Sequence, residues 1–145
     1  MAGQHEQPTG GEPLSRLLLE SLAEGVFGID RDGNFTFVNP AAAAMFGFED
    51  VSAVLGEHSH RLTHHSRVNG EPFPETACPI YQVMESGRPL EAWEDVFWRT
   101  DGTHFSPVRD ASGRVEGGVV VFSDITERKQ RERDLLRFRF AFEQS

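Results

Sequence analysis

Glu24-Gly25-Val26-Phe27-Gly28-Ile29-Asp30-Arg31-Asp32-Gly33-Asn34-Phe35-Thr36-Phe37-Val38-Asn39-Pro40-Ala41 decides how the rest of the chain is read. Two apolar stretches, Val26 to Ile29 and Phe35 to Val38, flank a polar segment ending in Gly33-Asn34. Gly and Asx residues accept the positive φ that tight hairpins demand, so the stretch predicts an antiparallel hairpin. Asn39 is then a helix cap, and Pro40 suits the first helical position, where its missing N–H has no partner anyway. Gly47 ends that helix, which spans 40–46. A strand thus runs directly into a short helix.

Toward the N-terminus, residues 1–13 are rich in Gly, Pro, Gln and Glu and read as a flexible lead. Leu14, Leu17, Leu18 and Leu22 recur at three- and four-residue spacing, which predicts a short amphipathic helix stopped by Gly25. Toward the C-terminus, residues 50–92 are irregular, with turn signals at Gly56, Asn69-Gly70, Pro72, Pro74 and Pro79, and with a helix expected from Pro79 to Glu85 before Gly87. Three strands are expected at Trp93 to Arg99, Thr103 to Val108 and Val115 to Phe122. Thr100-Asp101-Gly102 and Asp110-Ala111-Ser112-Gly113 are the turns between them. The middle one is short, and Pro107 removes a ladder donor from it; a lost stretch, a shortened strand and an unusual pairing all fit.

After Val115 to Phe122 the chain opens a last helix. Asp124 is its expected cap, with Glu127 in capping-box position. Residues 126–134 contain no apolar side chain, so that helix depends on charge pairs and neighbours. Leu135, Phe138 and Phe142 then return at i, i+3, i+7 spacing.

A chain of 145 residues fits one domain with a tail, and 38% hydrophobic content with twelve Phe supplies one core. No apolar run approaches the ~20 residues that cross a bilayer, and the start lacks the order of a signal peptide, so a cytoplasmic location with no membrane span is expected. The single cysteine, Cys78, excludes an internal disulfide and a multi-cysteine zinc knuckle. The net charge is −9. Residues 127–139 carry a local +3, and the acidic remainder argues against a nucleic-acid surface.

In its order and spacing the chain resembles a PAS domain. The residues that carry this are Glu24 to Asp30, Gly33 to Ala41, Arg99-Thr100-Asp101-Gly102, and Asp124-Ile125-Thr126-Glu127-Arg128-Lys129. The resemblance implies an α+β fold: a five-stranded antiparallel sheet with short helices on one face enclosing a ligand-sized cavity. An amphipathic N-terminal helix and a C-terminal signalling helix belong to the same picture. The sensory domain would span 14–123, and 124–145 would lead toward a following domain. It further implies a homodimer that is not an enzyme. Output would pass through Asp124, Ile125, Thr126 and Glu127 to an effector outside this chain, a kinase, cyclase or phosphodiesterase.

Candidate chemistry gathers in the middle segment. His58, His60, His64, His65 and Cys78 fall within twenty-one residues, and imidazole with thiolate is a ligand set for zinc or another transition metal. Against it, His64 and His65 are adjacent and point apart, and no H-x-x-x-H or C-x-x-C pair is credited with setting the bite; the plain alternative is loop hydrogen bonding, with Cys78 a small buried filler. Haem would need His64 or His65, because the helix Pro79 to Glu85 offers Tyr81 and Met84 but no histidine. The flavin-binding light-oxygen-voltage subclass would need an Asn-Cys-Arg-Phe run, and Cys78 stands in Ala77-Cys78-Pro79. The ligand-binding residues expected are His64, His65, Cys78, Tyr81, Met84, Trp93 and Phe97. No nucleophile elbow or phosphate loop occurs. A ligand- or partner-driven relay is thus the first reading, a metal or haem sensor on His58 to His65 and Cys78 the second, and a ligand-free dimerising spacer the third.

Overall fold

The sequence hairpin forms as expected, and its first strand lies inside the sheet. β1 (Gly25–Asp30) is buried along nearly its whole length, and β2 (Phe35–Val38) returns beside it through a turn in which Gly33 has φ 84°. Asp30 ties that turn with its own carboxylate, which accepts from the N–H groups of Asp32 and Asn34 at 2.9 and 3.0 Å. A computed structural model describes residues 23–114 and 116–144; the helix expected around Leu14 to Leu22 lies outside them.

β1 pairs on its other side with β7 (Gly117–Asp124), which pairs with β6 (Pro107–Arg114), which pairs with β3 (Leu90–Glu94). The sheet order is β2-β1-β7-β6-β3, antiparallel throughout. Between β2 and β3 lie α1 (Pro40–Phe46), α2 (Val51–Val54), α3 (Ser59–Thr63), a 3-10 turn (Glu75–Ala77) and α4 (Pro79–Ser86). A two-stranded ladder, β4 (Phe97–Trp98) with β5 (His104–Phe105), precedes β6, and α5 (Thr126–Gln144) leaves after β7.

Asn39 fastens the first helix to the first strand. Its Oδ1 accepts from Ala42 N–H and from Val26 N–H, both at 2.9 Å, while its Nδ2 donates to the Glu24 carbonyl at 3.0 Å. One side chain therefore caps α1 and fills the hydrogen bonds of a strand start. Gly47, at φ 82°, closes α1.

The interior is a cluster of phenylalanines: Phe27, Phe35, Phe46, Phe97, Phe105 and Phe122, each at most 3% exposed. Their ring centroids lie 5.1–6.4 Å apart in tilted and edge-to-face pairs, the arrangement aromatic quadrupoles favour. The ligand-sized space implied by the resemblance is thus largely filled here by aromatic side chains.

The strands after α4 differ from the expected ones. Trp93 to Arg99 is divided, because the chain leaves the ladder at Asp95 to turn that carboxylate inward. Asp110-Ala111-Ser112-Gly113, read as a turn, is the second half of an eight-residue strand. Its eight partners run from Pro107↔Asp124 to Arg114↔Gly117. The glycines that suggested a turn instead permit close pairing. A Cβ on Gly113 would stand 2.6 Å from the Gly117 carbonyl oxygen. Pro107 opens the strand, where proline is tolerated.

Gly113→Ala should therefore destabilise the domain by about 1–3 kcal/mol in urea unfolding, as overpacking does. A residue in an open turn would change stability by less than about 0.5 kcal/mol.

Candidate functional site

α3 is a little over one turn long, and it brings His60 and His64, four residues apart, onto its inner face. This is an H-x-x-x-H pair, His60-Arg61-Leu62-Thr63-His64, which corrects the sequence reading that no such pair sets a bite. His58 precedes the helix as its cap, and its Nε2 lies 3.0 Å from Glu75. Cys78 is delivered from the opposite side. Pro79 occupies the first position of α4, so the residue before it sits at the helix start, 1% exposed.

The two elements meet at short distances. His64 Nδ1 is 3.2 Å from Cys78 Sγ, and His64 Nε2 is 2.9 Å from Asp95 Oδ1. The other Asp95 oxygen accepts from Arg109 Nη2 at 2.5 Å. Arg109 projects from the core face of β6, 2% exposed, with its guanidinium 5.2 Å from the centre of the Phe97 ring. His60 Nε2 donates to the Phe73 carbonyl at 2.6 Å, and His60 Nδ1 is buried with no hydrogen-bond partner among the described residues. A Cys–His–Asp–Arg chain therefore crosses the interior.

Burial opposes charge on all of these groups, but the partners win. Burial pushes the Cys78 thiol up, yet the imidazoles of His60 and His64 and the nearby charges of His64 and Arg109 outweigh it and bring the thiol from 9.0 to about 5. Burial pushes His64 down, and its bonds to Asp95 and Cys78 reverse this, so it titrates above its ordinary 6.5. Asp95 is held below the usual carboxylate value by His64 and Arg109 in spite of its burial.

A cleft of about 230 Å³ opens beside this chain, lined among others by Ile29, His58, His60, Cys78, Tyr81 and Met84. Of the expected ligand-binding residues, Cys78, Tyr81 and Met84 border the cleft, and His64 lies just beneath it. Phe97 is core and packs edge-on against His64. His65 points outward, stacked on Trp98, and Trp93 is 46% exposed on β3. Asp95 and Arg109 were not singled out in the sequence, where one sits in a predicted strand and the other beside a predicted turn. The cleft is smaller than the roughly 300–1,000 Å³ of sites for drug-sized ligands. Both His64 nitrogens have partners, Cys78 at Nδ1 and Asp95 at Nε2.

The start of α5 is stitched to the loop ahead of β6. Ile125 N–H donates to the Ser106 carbonyl at 2.7 Å, Ser106 N–H donates to Thr126 Oγ1 at 2.8 Å, and Asp124 Oδ1 accepts from Thr126 N–H at 2.9 Å. Ile125 is 6% exposed, and Lys129 reaches Glu94 at 3.3 Å. Glu127 stands exposed in the first turn. Among the described residues no helix is long and apolar enough to cross a membrane.

A sheet in this order, helices over one face and a helix leaving from the last strand define a sensory-domain architecture. The chain belongs to the PAS family: a family model described as the PAS fold matches residues 19–130. The chain is 30% identical over 131 residues to the signal transduction histidine-protein kinase AtoS of Escherichia coli, covering 83% of this chain and 19% of that protein. The chain thus spans about a fifth of this relative. The PAS domain of an HTR-like protein from Haloarcula marismortui superposes with a TM-score of 0.63 at 17% identity, covering 86% of this chain and all of that one. An RNA-binding light-oxygen-voltage receptor superposes at 0.69 with 21% identity, covering 92% of this chain and 39% of that one. These last two likenesses bear on fold alone.

Two pH effects are expected. Cys78, depressed from 9.0, stabilises the fold in full above 9.0 and loses that contribution as pH falls through about 5. His64, raised from 6.5, contributes in full below 6.5 and loses its share as pH rises through its higher folded value. The ultraviolet thiolate absorbance of the native chain should therefore inflect near 5, and Asp95→Asn should move that inflection upward.

Proposed function

We propose that this chain is the input module of a larger signalling protein. It converts the state of the cleft beside Cys78 into a change at the start of α5. The observation that carries this reading is the closeness of the two places. Asp95, which holds His64 and Arg109, also donates its backbone N–H to the Pro107 carbonyl at 3.1 Å. Pro107 follows Ser106, the residue that holds Ile125 and Thr126. A shift of α3 or α4 against Asp95 is felt within two residues of the exit helix, with no long path required.

Output passes through Asp124, Ile125 and Thr126 into α5, whose charged first turns are held by the junction more than by their own packing. Beyond them Leu135 and Leu136 are 60% and 62% exposed. A second copy of this chain, pairing along α5, covers them in a symmetric dimer. The kinase relative makes an effector of the kinase class the natural receiver downstream, with no catalytic role for this domain. The net charge of −9 leaves nucleic acid out of this scheme.

In the full-length protein, Asp124→Ala should leave the sensory domain folded, cost about 1 kcal/mol at the helix start, and uncouple effector output from stimulus. The check is the stimulus response of the effector beside the circular dichroism of the isolated chain. An unchanged response in a correctly folded variant removes α5 as the output.

A further inference from the structure

Two imidazole nitrogens and a sulfur converge beneath the cleft. The Phe73 carbonyl can only accept, so His60 Nε2 carries the hydrogen of their 2.6 Å bond, and the neutral ring presents a lone pair at Nδ1. That atom is buried and has no hydrogen-bond partner among the described residues. In His64, Asp95 accepts from Nε2, and Nδ1 faces Cys78 Sγ at 3.2 Å. His60, His64 and Cys78 each offer one ligand atom, and these three lie within 4.8 Å of one another. A void of about 10 Å³, bordered by His60, His64, Cys78 and Arg109, lies among them.

We propose that His60 Nδ1, His64 Nδ1 and Cys78 Sγ form a binding site for one thiophilic metal ion, and that this ion is the input of the sensory reading above. Bonds of ~2.0–2.3 Å put two ligand atoms on one ion roughly 3.3–3.8 Å apart, so the observed 3.2 Å between His64 and Cys78 needs only a small opening. Both imidazoles already have their far nitrogens oriented by an acceptor, one of them a carboxylate, the outer arrangement that histidine ligands use. Thiolate with two imidazoles selects Cu+ or Zn2+ over hard cations.

Coordination number separates the two ions. Zn2+ in protein sites takes four ligands, and the void among these three side chains is only about 10 Å³. The geometry therefore favours Cu+, held by the three.

The test is anaerobic titration of the full chain with Cu+ and with Zn2+ against competing chelators, with Co2+ loading as an optical probe. One equivalent of Cu+ should bind, and Co2+ should show a thiolate charge-transfer band. Cys78→Ser and His60→Gln should each weaken binding by more than about 100-fold, beyond what loss of an outer partner causes. His58→Gln and His65→Gln should bind as the parent does. Tighter Zn2+ than Cu+ would keep the three ligands and overturn the choice of Cu+. No stoichiometric binding, no cobalt band in the parent chain, or equal binding in Cys78→Ser overturns the site. The band is read on the parent, so the outcome survives a variant that fails to fold. The Asp124→Ala experiment reads the relay alone, so failure of the metal site and failure of the sensory reading are told apart.

Discussion

One buried carboxylate organises this domain. Asp95 accepts from His64, which comes from the helical segment, and from Arg109, which comes from the sheet, and it is 10% exposed. A guanidinium and a carboxylate out of water are costly singly and tolerable together, because each offsets the penalty of the other. Removing the anion would strand Arg109 inside a phenylalanine cage. That is why β3 breaks at Asp95, why β4 is only a short ladder, and why α3 docks where it does.

The same node defines what the domain can transmit. The phenylalanine cluster fills the interior, and a cleft beside Cys78 opens on the helical side. A close-packed core passes displacement along its contacts without absorbing it. Backbone bonds at Pro107 and Ser106 link Asp95 to the start of α5. The exposed and charged α5 has little packing of its own to resist them.

Much of this was legible from local chemistry. The hairpin at Asp30 to Asn34, the cap at Asn39 and the stops at Gly47 and Gly87 are written in residues whose backbone preferences leave few alternatives. The strand Pro107–Arg114 was not, because Asp110 and Gly113 carry turn chemistry and only pairing with β7 overrides it. Asp95 and Arg109 were hidden for a related reason. A charged residue in a strand pattern reads as solvent-facing, and only the fold shows that two of them face inward together. The pair His60 and His64 had a readable spacing, but its meaning depended on Cys78 arriving from another element.

Hydrogen exchange at the start of α5 tests the central link most directly. In Asp95→Asn, the amides of Ile125 to Lys129 should exchange faster than in the parent, by a larger factor than the amides of β1. Equal acceleration in β1 and at the α5 start, or no acceleration at either, would contradict a relay that runs from Asp95 to the exit helix.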